Sequence, residues 1–569
     1  MTGRLHEPRF SRWLGPSLAI LLVPLFAMEV GAQSSTFSRE ELPAPAAFEE
    51  RARGVIREEL DPVMAADGSG LPHELWNGLS AAAFAEAIAV LKLPPKSPTL
   101  QGLWRRLIGS DTVPVSGVDG ARFTALRIEA LERSGLIDEV AAVLARDPQA
   151  STDPLLQTLT ARSEIGLGNA ERGCEIAHGL RAAQSSLPKP MQADVILING
   201  YCAAASGDMA SASIQAGLLK ELELGLVGAD LLDAVAAGLK PELAKDTPLT
   251  LLDFRIASLG EKGLDAAALV TTAQPALLAG MAQDPRVAAD VRLAAGEAAV
   301  KLNVLPAEDL APLYMAEGAG GDAGTIERAG IFKSAQREQT PLNKSRLIRA
   351  FLDHARRAGF YWQALQLMAG PTQSLEPAPE IGWFAETGVE VNLAAGNFEG
   401  ARRWASFVDA PYTANRPSAP LAHWIALIDI ADPAVTSGHG RSLAALETLA
   451  ARGRLPPDLV HRTVTVLDAL DIAVPMSLWD LAGRTPQPTD GHLPETGVLS
   501  ELADASQKKQ FGRTVLLAMR TIGPQEADSA HMIALGDALR ALQRAGLKTE
   551  ARQLAVEALF EAWPRTVGQ

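Results

Sequence analysis

Residues 535–558 read Leu535-Gly-Asp-Ala-Leu-Arg-Ala-Leu-Gln-Arg-Ala-Gly546-Leu-Lys-Thr-Glu-Ala551-Arg-Gln-Leu-Ala555-Val-Glu-Ala558, and this stretch decides the fold. Apolar residues recur at three- and four-residue spacing on both sides of Gly546, which makes each side an amphipathic helix. The glycine supplies the left-handed turn that ends the first helix. Ala551, five residues on, is small enough to let the second helix approach the first closely. Pro564 closes the unit.

The same offset recurs along the chain, as Gly135…Val140, Gly168…Gly173, Gly207…Ala212, Gly263…Ala268, Gly359…Ala364, Gly396…Ala401 and Gly440…Ala445. Between these turns the chain is rich in Ala and Leu at helical spacing, and alternating β-branched runs are scarce. Asp153-Pro154, Asp284-Pro285, Thr340-Pro341 and Gly523-Pro524 read as helix starts, because proline is tolerated in a first turn. The fold class expected is all-α.

These hairpins resemble the tetratricopeptide repeat family, whose turn glycine is followed by alanines at comparable offsets. A second good match is Val391-Asn-Leu-Ala-Ala-Gly396-Asn-Phe-Glu-Gly-Ala401-Arg-Arg-Trp-Ala405. The resemblance covers scattered hairpins over residues 120–563. Intervals between turn glycines run from 33 to 106 residues, where a regular array would hold near ~34. What the resemblance implies is a right-handed α-solenoid of antiparallel helical hairpins built from degenerate repeats. An irregular all-α domain is the simpler alternative.

At the other end, Arg4, Arg9 and Arg12 precede the apolar stretch Trp13–Met28, and Val30-Gly31-Ala32 precede the polar Gln33-Ser34-Ser35. Basic, apolar, small is the order of a secretory signal peptide cleaved after Ala32. The run is short for a membrane span and is broken by Pro16 and Pro24, so an N-terminal membrane anchor is the alternative. The expected organisation is a signal peptide at 1–32, a flexible lead at 33–50, the solenoid at 51–483, a linker loop at 484–498 and a terminal helical unit at 499–569. No later segment is apolar over a membrane-spanning length, so the mature chain is expected not to span a membrane. Export without dense cysteine bridging points to a bacterial periplasm.

Composition narrows the function. The 569 residues are 47% hydrophobic and 21% charged, enough for a large core, and the 5% aromatic content argues against a long sugar-stacking cleft. With 67 acidic against 52 basic residues and no basic run, nucleic acid is not an expected partner. Two cysteines exclude a four-cysteine zinc site. His-Glu-x-x-His, Gly-x-Ser-x-Gly and phosphate-loop spellings are lacking. Gly318-Ala-Gly320-Gly-Asp-Ala323 has no preceding strand and carries acids that would repel a pyrophosphate. Ser506-Gln-Lys-Lys509 lacks the companion Lys-Thr-Gly of penicillin-interacting enzymes. No catalytic, cofactor or metal residues are therefore assigned.

Two groups of residues stand out. Cys174 and Cys202 each lie fourteen residues from Pro188, on consecutive helices, which puts them at one level of antiparallel neighbours. A Cys174–Cys202 disulfide is expected; two buried free thiols are the alternative, and a Cys174/His178 metal pair lacks a full ligand set. Separately, eleven aromatics fall within residues 351–424. Trp362, Trp383, Trp404 and Trp424 are 21, 21 and 20 residues apart, so each successive helix is expected to present one indole at a similar height. With Arg356, Arg357, Arg402 and Arg403 at the rim they would line a groove; the plainer assignment is that they fill the interhelical core.

The function these features suggest is a periplasmic, non-enzymatic interaction scaffold holding a protein or peptide of the cell envelope in a helical groove, without cofactor. The alternative is an enzyme or enzyme accessory of cell-wall or polysaccharide metabolism. Soluble lytic transglycosylases are similar in outline, but the 71 residues after the linker are too few for their lysozyme-like domain, and an (α/α) toroid would need carboxylates facing a groove.

Overall fold

The structure is a computed structural model describing residues 75–565, except 111, 113, 118, 242, 245–246, 261–263, 317–322 and 408–420. The expected signal peptide and lead segment, the turn at Gly263 and nearly all of the Gly318–Ala323 loop lie outside the described residues. Those residues form 28 α-helices and no β-strand, with only two isolated bridges, Ser80 to Ser116 and His492 to Ala530. The protein is all-α.

Local chemistry accounts for the helix starts. Asp119 caps helix Gly120–Arg133 by accepting the Arg122 N–H at 2.9 Å. Asp153 caps Pro154–Leu167 through the N–H groups of Leu155 and Leu156. Each satisfies donors that an uncapped first turn leaves orphaned. Thr340-Pro341 likewise opens helix Pro341–Ala358. The other two dipeptides act in the opposite sense. Asp284 ends helix Pro275–Gln283 and Gly523 ends helix Phe511–Ile522. A proline that lacks an N–H and crowds the residue before it stops a helix as readily as it starts one.

Six of the eight turn glycines are left-handed: Gly135, Gly168, Gly207, Gly359, Gly396 and Gly546, with φ between +71° and +96°. The small residues five positions after them, Val140, Gly173, Ala212, Ala364, Ala401 and Ala551, are all buried. In each case the two flanking helices pack together, as in Pro154–Leu167 with Ala170–Leu180 and Met532–Arg544 with Lys548–Phe560. Gly440 departs from the pattern. It sits inside helix His439–Ala451, and Gly438 takes the left-handed conformation instead, at φ +87°.

Helices also pack in chain order: Gly120–Arg133 touches Pro154–Leu167, which touches Lys189–Ala205. Contacts then return across the sequence. Helix Lys548–Phe560 packs on Pro98–Gly109, on Ala422–Ala431 and on Pro457–Ala469. Glu557 on that last helix accepts the Thr99 N–H at 2.8 Å as well as the Ser97 and Thr99 hydroxyls. Gly512 N–H donates to the Leu75 carbonyl at 2.9 Å. Within residues 484–498, His492 bonds both ways with the Ser529–His531 backbone, at 2.9 Å each.

Candidate functional site

Three alternate helices, Gly120–Arg133, Pro154–Leu167 and Lys189–Ala205, are joined by one side chain. Arg162 donates through Nη2 to Glu132 Oε2 at 2.5 Å and through Nη1 to Asp194 Oδ2 at 2.6 Å. The planar fork of a guanidinium can serve two carboxylates at once, which an ammonium cannot do with fixed geometry. Burial by itself would lower the Arg162 pKa, but the charges and hydrogen bonds of Glu132 and Asp194 outweigh it and hold it above its usual value.

Beside this clasp is a cavity of about 410 Å³. Ile137, Val140, Leu197, Leu226, Leu249 and Leu251 give it apolar walls, and Glu129, Glu132, Arg133, Arg162, Asp194 and Asp253 bring charge to it. The chain running into helix Leu251–Ala257, with Gln274 and Ala276, also lines it. Thr250 and Asp253 form a capping box at the start of that helix. Asp253 Oδ2 takes the Thr250 N–H at 2.9 Å and its hydroxyl at 2.7 Å, while Thr250 Oγ1 accepts the Asp253 N–H. Asp253 is 6% exposed. Burial pushes its carboxyl up, the Thr250 hydrogen bonds pull it down, and the nearby Asp194 charge adds to the rise, leaving it above the ordinary value.

Helix Val227–Ala236 comes close to this carboxylate because residue 228 is glycine. A Cβ there would stand 2.6 Å from Asp253 Oδ1 and 2.7 Å from the Leu197 side chain. A second hollow, of about 850 Å³, adjoins the first and shares Glu129, Glu132 and Arg162 with it; Leu126, Asp153 and Met191 extend it along the same three helices. Together they offer a trough with apolar walls and charged side chains where the two hollows meet, suited to an extended ligand.

The expected aromatic groove does not form. Trp424 is fully buried, its indole N–H donating to Glu386 at 3.0 Å, and Trp404 is 3% exposed against Phe384. Trp383 is 42% exposed and lies in the 3-10 turn Pro379–Phe384, edge-on to Phe384. Trp362 is half-buried against Phe560 and lines two small hollows, about 180 and 270 Å³, that also share Pro98 and Glu557. Equal spacing along a chain does not fix the rotation of each helix, so the four indoles point to different environments.

The arginines serve internal ties. Arg356 stacks 3.7 Å over Tyr361 and pairs with Glu561; Arg357 donates to the Asp353 carbonyl. Arg402 bridges Asp429 and Asp432, both at 2.8 Å, and Arg403 pairs with Glu376. Cys174 and Cys202 are joined as a disulfide, with Cα atoms 5.7 Å apart, tying helix Ala170–Leu180 to Lys189–Ala205.

Residues 132, 162 and 194 were not singled out in the sequence. The signal available was a charge recurring at intervals of 30 and 32 residues, acid, base, acid, on helices Gly120–Arg133, Pro154–Leu167 and Lys189–Ala205. Among the described residues, no helix is long and apolar enough to cross a membrane. Compared with known proteins, the chain matches no family model, no curated protein and no solved structure.

Proposed function

We propose that the protein is a non-enzymatic interaction scaffold of the bacterial cell envelope, exported to the periplasm, that holds a protein or peptide in a trough between helices. In this reading the tetratricopeptide-like hairpins stack as a degenerate right-handed α-solenoid, and the first helices of three successive hairpins supply the floor. The observation that carries it is the Arg162 clasp, which locks Glu132 and Asp194 from the neighbouring helices into one wall shared by two adjoining hollows. Repeat arrays bind extended partners on such surfaces.

One observation favours the alternative of an enzyme or accessory of cell-wall metabolism. In the Trp362 cleft, burial pushes the carboxyls of Glu526 and Glu557 above the ordinary range. Both Glu557 oxygens are already engaged by Ser97 and Thr99, so this acid is not free to protonate a ligand, and the scaffold is the better supported function.

The test places a photo-crosslinking residue at Leu126, in the trough, and separately at Glu171, exposed on helix Ala170–Leu180. Adducts with envelope proteins from position 126 alone support the reading; no adduct, or equal adducts from both, overturns it. Export is tested by the N-terminus of the periplasmic protein, expected to begin at Gln33.

A further inference from the structure

One carboxylate of the acidic cavity, Asp253, forms no ion pair with a described residue. Asp253 is 6% exposed and spends one oxygen on Thr250, while Oδ1, beside Gly228 at the cavity, has no hydrogen-bond partner among the described residues. The charge that acts on it is another carboxylate, Asp194, which adds to the rise that burial causes. Buried carboxylates are normally paired, because removing the charge from water is expensive. The two guanidinium groups in the wall are committed elsewhere. Arg162 holds Glu132 and Asp194, and Arg133 donates to the carbonyls of Ile88 and Leu91 at 3.0 and 2.8 Å. With Glu129, Glu132, Asp194 and Asp253 against Arg133 and Arg162, the cavity carries a formal charge of −2.

From this we propose that the cavity takes the cationic end of a lysine or arginine side chain from the bound peptide, with Asp253 Oδ1 as its acceptor. The inference rests on the trough being the binding surface. The aliphatic stem of such a side chain would lie along Leu197, Leu226 and Leu251, which a hydrated metal ion could not use. A volume of about 410 Å³ leaves room for the stem and part of the flanking backbone. The adjoining hollow, which shares Glu129, Glu132 and Arg162 with this one, gives the rest of an extended chain a second place to rest, which favours a peptide side chain over a free amine.

The experiment titrates the full-length protein with acetylated, amidated pentapeptides differing only at the central position, arginine, lysine or glutamine, and with agmatine as a free guanidine. The arginine and lysine peptides are expected to bind at least about tenfold more tightly than the glutamine peptide. Asp253→Asn should cost the arginine peptide about tenfold, and Glu129→Gln, at an exposed position, about threefold. If D253N fails to fold, Ala276→Leu fills the cavity from its rim and should reduce binding to the level of the glutamine peptide. Equal binding of all three peptides, no binding by any, or wild-type affinity in folded D253N and E129Q overturns the assignment. Tight binding of agmatine matching that of the peptides overturns the peptide source. In any of these cases adducts persisting from position 126 leave the scaffold reading standing, and their absence removes that reading itself.

Discussion

Glu557 Oε1 accepts the backbone N–H of Thr99 at 2.8 Å, across 458 residues of chain. The carboxylate sits at the start of helix Pro98–Gly109, where it also receives both neighbouring hydroxyls, so it caps one end of the fold from the other.

Removing that cap should be costly, and neutralising it should not. Glu557→Ala strands the donors of Ser97 and Thr99 and is expected to lose about 2 to 4 kcal/mol of stability. Glu557→Gln keeps an acceptor for Thr99 and should stay within about 1 kcal/mol of wild type. Because burial raises the folded-state pKa of Glu557, its contribution is fullest below the unfolded value and is lost as pH climbs through the folded one. Wild type should therefore gain on E557Q as the medium is acidified. Urea midpoints across pH check all three expectations.

Asp284 behaves with the opposite sign. Burial alone would raise its pKa, but the side chain and backbone N–H of Arg286, with Arg255, hold it down to about 2 from 3.8. Arg255 and Asp284 are both buried partners, and Arg255 also donates to the Gly166 carbonyl at 2.9 Å. The stabilisation is present above pH 3.8 and disappears as pH falls through about 2, a linkage worth about 2 kcal/mol. Asp284→Asn should lose about 3 kcal/mol at neutral pH, since it leaves Arg255 buried without its ion. The gap to wild type should close on acidification; a constant gap would contradict the pairing.

The disulfide closes a 28-residue separation, so reduction should lower stability by about 3 to 4 kcal/mol through loop-closure entropy in the unfolded chain. Thiol titration of the unfolded protein should find no free thiol before reduction and two after it. Equal denaturation midpoints with and without reductant would show that the bond contributes nothing.

At Gly388 a Cβ would come within 2.5 Å of the Trp404 indole. Gly388→Ala is expected to destabilise by about 1 to 3 kcal/mol by overpacking, and Trp404→Ala by about 3 to 5 kcal/mol by leaving a void. Combining Gly388→Ala with Trp404→Phe should recover part of the first loss, because the smaller ring vacates the space. Additive losses in chemical denaturation would place the two side chains out of contact.

The helical class and six of the turns were legible because Gly135, Gly168, Gly207, Gly359, Gly396 and Gly546 each perform a backbone task that few other residues can. Gly440 misled because another glycine, Gly438, stands two residues earlier and no spacing rule chooses between them. The cysteine pairing came out as expected although its premise did not: helix Ala170–Leu180 stops eight residues before Pro188, and a turn with a 3-10 segment, not helical rise, covers the rest of the distance. Trp404 and Trp424 were not legible, because height on a helix says nothing about rotation, and a 3-10 turn at Pro379–Phe384 intervenes. The acidic cavity was hidden for another reason. Glu132, Arg162 and Asp194 are single charges on helices, and in sequence a charge that binds its neighbour is indistinguishable from one that faces water.

The grip of Lys548–Phe560 on Pro98–Gly109 alters how this protein can come apart. An open stack of repeats frays from its tips, one unit at a time. Here helix Lys548–Phe560, near one end of the described residues, holds helix Pro98–Gly109, near the other, so loosening either one loosens the other. Removing helix Lys548–Phe560 would strip the partner from a helix more than four hundred residues away, and a protease that finds the one open would find Pro98–Gly109 open with it.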